Sequence, residues 1–198
     1  CAWMPQRGWD ERILRDWAMT DNEYAVLSTY PTGTDQLQSD GSVRNVNNHW
    51  EMPYLCSAQL ERPGLVRNDI AGAVANLERP CLSKLWAAGL SFSRCHAERD
   101  VPADGELRGI FQGEEFARGS RLWTHGYDFY SLSRPVVATH YGSEKGGRGT
   151  FRAGMFETKA AERRLATLLR YEGSDQSPAA HAALIGYDLG SRRRYEDY

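Results

Sequence analysis

The sequence predicts an α/β domain with a mixed sheet. Segments rich in β-branched and aromatic residues alternate with segments of helical periodicity, and no repeat or low-complexity tract interrupts them. A length of 198 residues, with 41% hydrophobic and 25% charged content, is enough to bury an ordinary core.

The opening segment is predicted to be a helix, with Asp10 as its cap, Glu11 in its first turn, and Ile13, Leu14 and Trp17 at helical spacing. Tyr24 to Tyr30 (YAVLSTY) reads as a strand stopped by Pro31. Thr32 to Asn48 is polar with two glycines and reads as a loop, and Met52 to Leu60 reads as a strand. Glu61 to Pro80 gives no assignable pattern. Leu85 to Ser93 (LWAAGLSFS) is an apolar run around a glycine, which suits a buried strand that another backbone or a ligand approaches closely. Arg94 to Gly113 reads mostly as loop. Glu114 to Thr124 is a predicted helix, weakened by Gly119 by about 1 kcal/mol relative to alanine. Arg134 to Tyr141 predicts a short strand and Ser143 to Gly149 a flexible loop. Lys159 to Arg170 predicts a helix with Ala161, Leu165, Leu168 and Leu169 on one face, and the tail a helix or turn.

Charge and cysteine usage exclude several functions. The formal charge of −2, from 24 basic and 26 acidic residues, lacks the clustered basic excess of a nucleic-acid binder. The run Arg192–Arg194 is an ordinary solvated face. Cys1, Cys56, Cys81 and Cys95 form no CxxC pair, which argues against structural zinc. Cys95-His96 reads as a partly buried thiol beside a surface imidazole. No apolar run approaches the roughly 20 residues that span a bilayer, so no direct membrane contact is expected of this segment. The chain opens on Cys1-Ala2-Trp3-Met4 without an initiator methionine or signal peptide, as an internal segment would.

The chemistry is concentrated in Trp86 to Tyr141: a glycine-bearing segment (AAGLSF), an acidic pair opening a helix (FQGEE), then RLWTHGYDFY, then a strand ending in His140. A glycine lets a pyranose lie against the backbone where a Cβ would collide. Carboxylates accept strong hydrogen bonds from sugar hydroxyls. Trp123 and Tyr127 offer flat apolar faces with polar tips. A strand-end imidazole suits a divalent ion that neutralises a departing diphosphate. Each feature has a structural reading as well. Glu114 and Glu115 complement a helix dipole, worth about 0.3–1 kcal/mol; Trp123, seven residues after Phe116, suits a core; Asp128 suits a turn; and a lone His140 is most often structural. Their order and spacing together favour sugar transfer.

That ordered set resembles the polypeptide α-N-acetylglucosaminyltransferases, which modify hydroxyproline or serine/threonine. The matching residues are Trp9-Asp10, Leu27–Pro31 (LSTYP), Met52–Cys56 (MPYLC), Ala87–Phe92 (AAGLSF), Phe111–Glu115 (FQGEE), Arg121–Tyr130 (RLWTHGYDFY) and Ala138–Gly142 (ATHYG). Weaker echoes follow in Glu162–Leu169 and Tyr187–Tyr195. The GEE helix is also similar to that of the mucin-type GalNAc-transferases. The resemblance implies a GT-A-like fold, UDP-GlcNAc as donor, a protein acceptor, Mn²⁺ or Mg²⁺ as cofactor, and retention of configuration. By matching positions it implies that Ala88 and Gly89 line the sugar pocket and that Glu114 and Glu115 hold donor hydroxyls and place the acceptor. Arg121, Trp123 and Asp128 would shape the sugar and acceptor site, and His140 would be the downstream metal ligand. Relatives of this type work in the cytoplasm, expected here, or in the Golgi lumen.

One departure bears on activity. Counted back from Trp9, the histidine of the family's Asp-x-His metal motif falls on Ala2 and its aspartate before Cys1. Residues 1–198 are therefore expected to form a partial transferase domain, with the nucleotide-binding half preceding Cys1, a trimmed C-terminal motif and little activity of its own. The alternatives are a non-catalytic sugar- or peptide-binding fragment derived from a transferase, and a relic that folds poorly.

Overall fold

A computed structural model describes residues 3–5, 7–37, 51–62, 65–69, 72–141 and 155–198. In chain order its first elements are β1 (Trp3–Pro5), α1 (Trp9–Met19), β2 (Ala25–Thr29), β3 (Thr32–Gly33), β4 (Glu51–Pro53), β5 (Ala58–Arg62), β6 (Leu65–Asn68), β7 (Ala73–Ala75), β8 (Cys81–Ser83) and β9 (Leu90–Phe92). There follow α2 (Cys95–Asp100), α3 (Glu114–Thr124), β10 (Asp128–Ser131), β11 (Val137–Thr139), α4 (Met155–Leu168) and α5 (Pro178–Ala182). Short 3-10 turns cover Thr34–Gln36 and Tyr195–Asp197. The chain is thus mixed α/β. It divides into two compact units, one drawn from Cys1–Cys56, Ile70–Ser93 and Phe129–Gly149, the other from Ser57–Asp69, Arg94–Asp128 and Thr150–Tyr198.

The first unit carries the sheets. A three-stranded sheet has the order β1-β11-β3, with β1 antiparallel and β3 parallel to β11, so it is mixed. A four-stranded sheet has the order β8-β10-β2-β9, and β4 and β7 form an antiparallel ribbon. Every residue of β2 is buried, which explains why AVLST reads as a near-continuous apolar run rather than an alternation. The core joins Ile13, Leu27, Met52, Leu90, Leu132, Val136 and Val137, with Trp17, Phe92 and Tyr130 packed on it. Asp16, 4% exposed, accepts hydrogen bonds from the Ser133 backbone N–H at 2.7 Å and hydroxyl at 2.8 Å, tying α1 to the chain after β10. Those hydrogen bonds offset part of the desolvation penalty of a buried carboxylate.

The second unit is a helical assembly with one β5–β6 ribbon. Leu65, Ala117, Leu165, Leu168, Leu169 and Leu184 form its core, with Leu107, Ile110 and Phe116 packed against them. The predicted apolar face of α4 is the buried face.

Several expectations change. Asp10 lies in the first turn of α1 rather than at the cap, which is Gly8 with φ +71°, a left-handed conformation that glycine adopts without strain. Leu14 is exposed and Ile13 carries the burial. The run Leu85–Ser93 is not one strand: Leu85, Trp86 and Ala87 are buried outside any strand, the chain turns at Ala88-Gly89, and only Leu90–Phe92 is a strand. Met52–Leu60 breaks into the end of β4 and the start of β5. Part of the predicted loop after Thr32 is β3 and a 3-10 turn, while residues 38–48, and the loop expected over 143–149, lie outside the described residues. Arg94–Gly113 holds a helix, α2.

Candidate functional site

In the first unit the site residues gather along the chain that leaves β2. Gly89 sits against it so closely that a Cβ would lie 2.5 Å from Pro31 Cδ, 3.2 Å from the Thr29 carbonyl and 3.3 Å from Tyr30 Cα. The close approach predicted from the glycine is therefore made by the protein's own backbone. Ala88, beside it, is exposed at the turn. Three residues beyond Pro31, the Thr34 hydroxyl lies 3.2 Å from His140 Nδ1. His140 follows β11 directly and is exposed, as a strand-end imidazole should be. Its neighbour Tyr141 donates its hydroxyl hydrogen to the Pro31 carbonyl at 2.9 Å. Gly89 and Tyr141 thus both meet Pro31. Among the described residues no group of three or more His, Cys, Asp or Glu side chains is placed to hold a metal ion. Any cation at His140 would take that imidazole as one ligand and oxygens from elsewhere, a donor set acceptable to Mn²⁺ or Mg²⁺ beside a diphosphate.

The second unit places the other five residues on or just after α3. Gly113 precedes the helix with φ +88°, and a Cβ there would meet Leu165 Cδ2 at 2.7 Å and Leu65 Cδ2 at 3.2 Å, so the GEE glycine is fixed by both sterics and dihedral. Glu114 and Glu115 then occupy the first turn of α3. Although Glu114 is exposed as a residue, its carboxyl is partly stripped of water. Its pKa is raised, first by that burial and then by Glu115, with Arg118 opposing.

Behind the acidic pair lies a buried cationic network. Arg118 donates to the Val101 carbonyl and pairs with Glu98 at 2.8 Å. Arg121 is 3% exposed, donates to the Pro102 carbonyl at 2.8 Å and lies over the Tyr187 ring at 5.6 Å. Its pKa falls to about 10, chiefly by burial and secondly by Arg118. Arg164 covers the same Tyr187 ring at 5.5 Å and pairs at 2.7 Å with Asp104, whose side chain is 1% exposed.

Trp123 and Asp128 meet the C-terminal segment. The guanidinium of Arg193 lies 5.2 Å from the Trp123 ring centroid and 2.9 Å from Asp128 Oδ1, and also donates to the Tyr127 carbonyl at 3.1 Å. Tyr198 packs on both Phe116 and Trp123, at centroid distances of 5.4 and 5.5 Å. Gly190 permits this docking: its N–H donates to Thr124 Oγ1 at 2.8 Å, and a Cβ would lie 2.6 Å from the Thr124 carbonyl oxygen. The arginine run is accordingly more than a solvated face, because Arg193 closes the end of α3. His96 is half-buried, with Nδ1 2.8 Å from the Tyr127 hydroxyl, while Cys95 is exposed, the reverse of the predicted burial.

Ala88, Gly89 and His140 therefore belong to the first unit, and Glu114, Glu115, Arg121, Trp123 and Asp128 to the second. Sequence reasoning overlooked Thr34, Asp104, Arg118 and Arg193. Only Arg118 left a local signal, four residues after Glu114 on the same helical face.

The sequence model of the family described as Glycosyltransferase (GlcNAc) matches residues 4–198. No curated protein and no solved structure matches the chain.

Proposed function

The chain belongs to the Glycosyltransferase (GlcNAc) family, and from that premise we propose that it transfers N-acetylglucosamine from UDP-GlcNAc to a hydroxyl of hydroxyproline, threonine or serine in a protein, with retention, on a GT-A-like fold. Membership itself implies a GlcNAc-transferring enzyme with a sugar-nucleotide donor and an acceptor. The observation that best supports the finer reading is the carboxyl pair in the first turn of α3, where loss of water and the neighbouring Glu115 raise the Glu114 pKa, with Arg118 opposing.

In this reading Glu114 and Glu115 accept hydrogen bonds from donor-sugar hydroxyls and orient the acceptor. Arg121, being buried, acts as a positioning residue that holds the loop at Pro102, and Trp123 and Asp128 act through the segment clamped by Arg193. His140 supplies a nitrogen to a divalent cation. When bound, Mn²⁺ or Mg²⁺ offsets charge on the departing diphosphate. The acceptor oxygen bonds to the anomeric carbon on the face that UDP leaves. Its proton passes to the departing diphosphate oxygen, so no side-chain base is assigned.

The test is a transfer assay of the full-length enzyme with UDP-GlcNAc, Mn²⁺ and peptides bearing hydroxyproline, threonine or serine, read by mass spectrometry beside thermal melts. Glu115→Ala is expected to lower turnover about 100-fold or more, the scale of losing one group that binds the transition state, while the melt stays within a degree or two. An equal loss of turnover and folded protein would make Glu115 a helix-start residue only. Failure of all three peptides would sink the acceptor assignment.

A further inference from the structure

We infer that Trp123 and Asp128, held together by Arg193, form a subsite for the acceptor chain rather than for the donor sugar, with Arg193 as its positioning residue. The inference rests on the proposed transfer reading and deepens it, by dividing the substrate residues of α3 and its end between the two substrates. Glu115 lies in the first turn of α3 and Trp123 eight residues later, in the last turn. At 1.5 Å per residue the two are about 12 Å apart along the helix axis. Both side chains lean toward the helix N-terminus, which preserves that offset. It exceeds the width of one hexose. An extended polypeptide covers it with about four residues, so a chain whose hydroxyl reaches the acid pair brings a neighbouring stretch to Trp123.

Arg193 makes this end of the helix a fixed surface. A guanidinium only donates, so each of its contacts has a single reading. It lies 2.9 Å from Asp128 Oδ1 and donates to the Tyr127 carbonyl at 3.1 Å and the Gly126 carbonyl at 3.3 Å. Its charge lies 5.2 Å from the Trp123 ring centroid. The planar fork lets one side chain serve a carboxylate, two carbonyls and an aromatic ring together. The backbone beneath it is set independently. The Arg192 and Arg193 N–H groups both donate to the Thr124 carbonyl, at 3.0 and 3.2 Å, satisfying an oxygen that the end of α3 leaves open. Tyr198 holds the Trp123 ring by a second contact, at 5.5 Å. Trp123 is half-buried, and the Asp128 and Arg193 side chains are 31% and 29% exposed, so the subsite opens at the surface. An ion pair this exposed contributes little to stability, and backbone groups already cap the helix. What the Arg193 side chain adds is the orientation of ring and carboxylate.

The experiment uses the full-length enzyme and two acceptor peptides, one with about four extended residues on each side of the hydroxyl-bearing residue and one cut back to its immediate neighbours. Wild type should favour the long peptide in kcat/KM by about 10-fold or more, the scale of one hydrogen bond to a charged group. Arg193→Ala should erase most of that preference, with the loss in the peptide KM rather than the UDP-GlcNAc KM and a melt within a degree or two of wild type. Asp128→Ala should do the same, the double variant should lose no more than either single one, and Arg193→Lys, which keeps the charge without the fork, should restore less than half of the preference. Equal use of the two peptides, a loss that appears in the UDP-GlcNAc KM, losses that multiply in the double variant, or activity that falls in step with the melt would each overturn the inference. Failure of the transfer reading looks different: neither peptide is glycosylated, while calorimetry without donor still shows tighter binding of the long peptide that Arg193→Ala abolishes.

Discussion

In the first unit, close approaches are made by backbone and small residues: Gly89 under Pro31, Gly33 beside Asp35, Tyr141 on the Pro31 carbonyl. In the second they are made by arginines and rings, with Arg118, Arg121 and Arg164 set among Glu98, Asp104 and Tyr187. The contrast separates two ways of fixing a polar group. The strand-end corner uses the tight approach of Gly89 to the Thr29–Pro31 chain and an uncharged hydrogen bond from Tyr141. The helix mouth uses buried charge, whose desolvation must be offset by well-placed partners. Substitutions should therefore fail differently in the two units, the first by collision and the second by leaving a charge unpaired.

The largest effect should come from Asp104→Ala. Its carboxylate is 1% exposed, pairs with Arg164 at 2.7 Å and accepts the Glu106 N–H at 3.0 Å. Removing it strands a guanidinium, and breaking a buried pair costs about 3–5 kcal/mol. Urea denaturation measures this directly, and a loss below about 1 kcal/mol, the value of a surface pair, would erase the distinction drawn for the second unit. Gly89→Ala should come next. The new methyl meets the Pro31 ring at 2.5 Å and two backbone atoms within 3.3 Å, none of which is a flexible chain end. Overpacking of that kind costs about 1–3 kcal/mol. A neutral Gly89→Ala melt would show that the corner yields, and that the glycine is kept for a ligand instead.

What the sequence made legible follows the same division. The bounds of α3 and the span of β2 were readable because caps, periodicity and Pro31 are local signals. The mixed α/β character followed from the alternation of such segments. The strand Asp128–Ser131 escaped notice because its pairing partner Cys81–Ser83 is more than forty residues earlier, and register across that distance leaves no mark on either segment. The glycine in AAGLSF correctly predicted a close approach, but the apolar run around it looked like a strand because buried irregular chain and buried strand share one composition. Among site residues, Glu114, Glu115 and His140 stood out by motif. Thr34 and Asp104 did not, since a hydroxyl or a loop carboxylate gains its role only from a partner brought to it by the fold.

The smallest predicted effect bears on the helix mouth itself. Two forces act in opposite directions on Glu114: the N-terminus of α3 favours a negative charge, and loss of water with Glu115 nearby disfavours it. Loss of water and Glu115 outweigh the opposing Arg118 and raise the pKa, so the folded chain holds this proton more tightly than the unfolded chain. Stability from that proton is complete below the ordinary carboxylate range and is lost as pH rises through the elevated folded value. Glu114→Gln, which keeps the neutral shape at every pH, should therefore melt slightly above wild type at pH 7.5, with the gap closing toward pH 4. A variant that melts lower than wild type at pH 7.5 would show the helix terminus to be dominant and Glu114 to be an ordinary first-turn acid. A higher melt combined with lost transfer would mean that the helix mouth carries its charge against folding, as a binding group for sugar hydroxyls must when water is excluded around it.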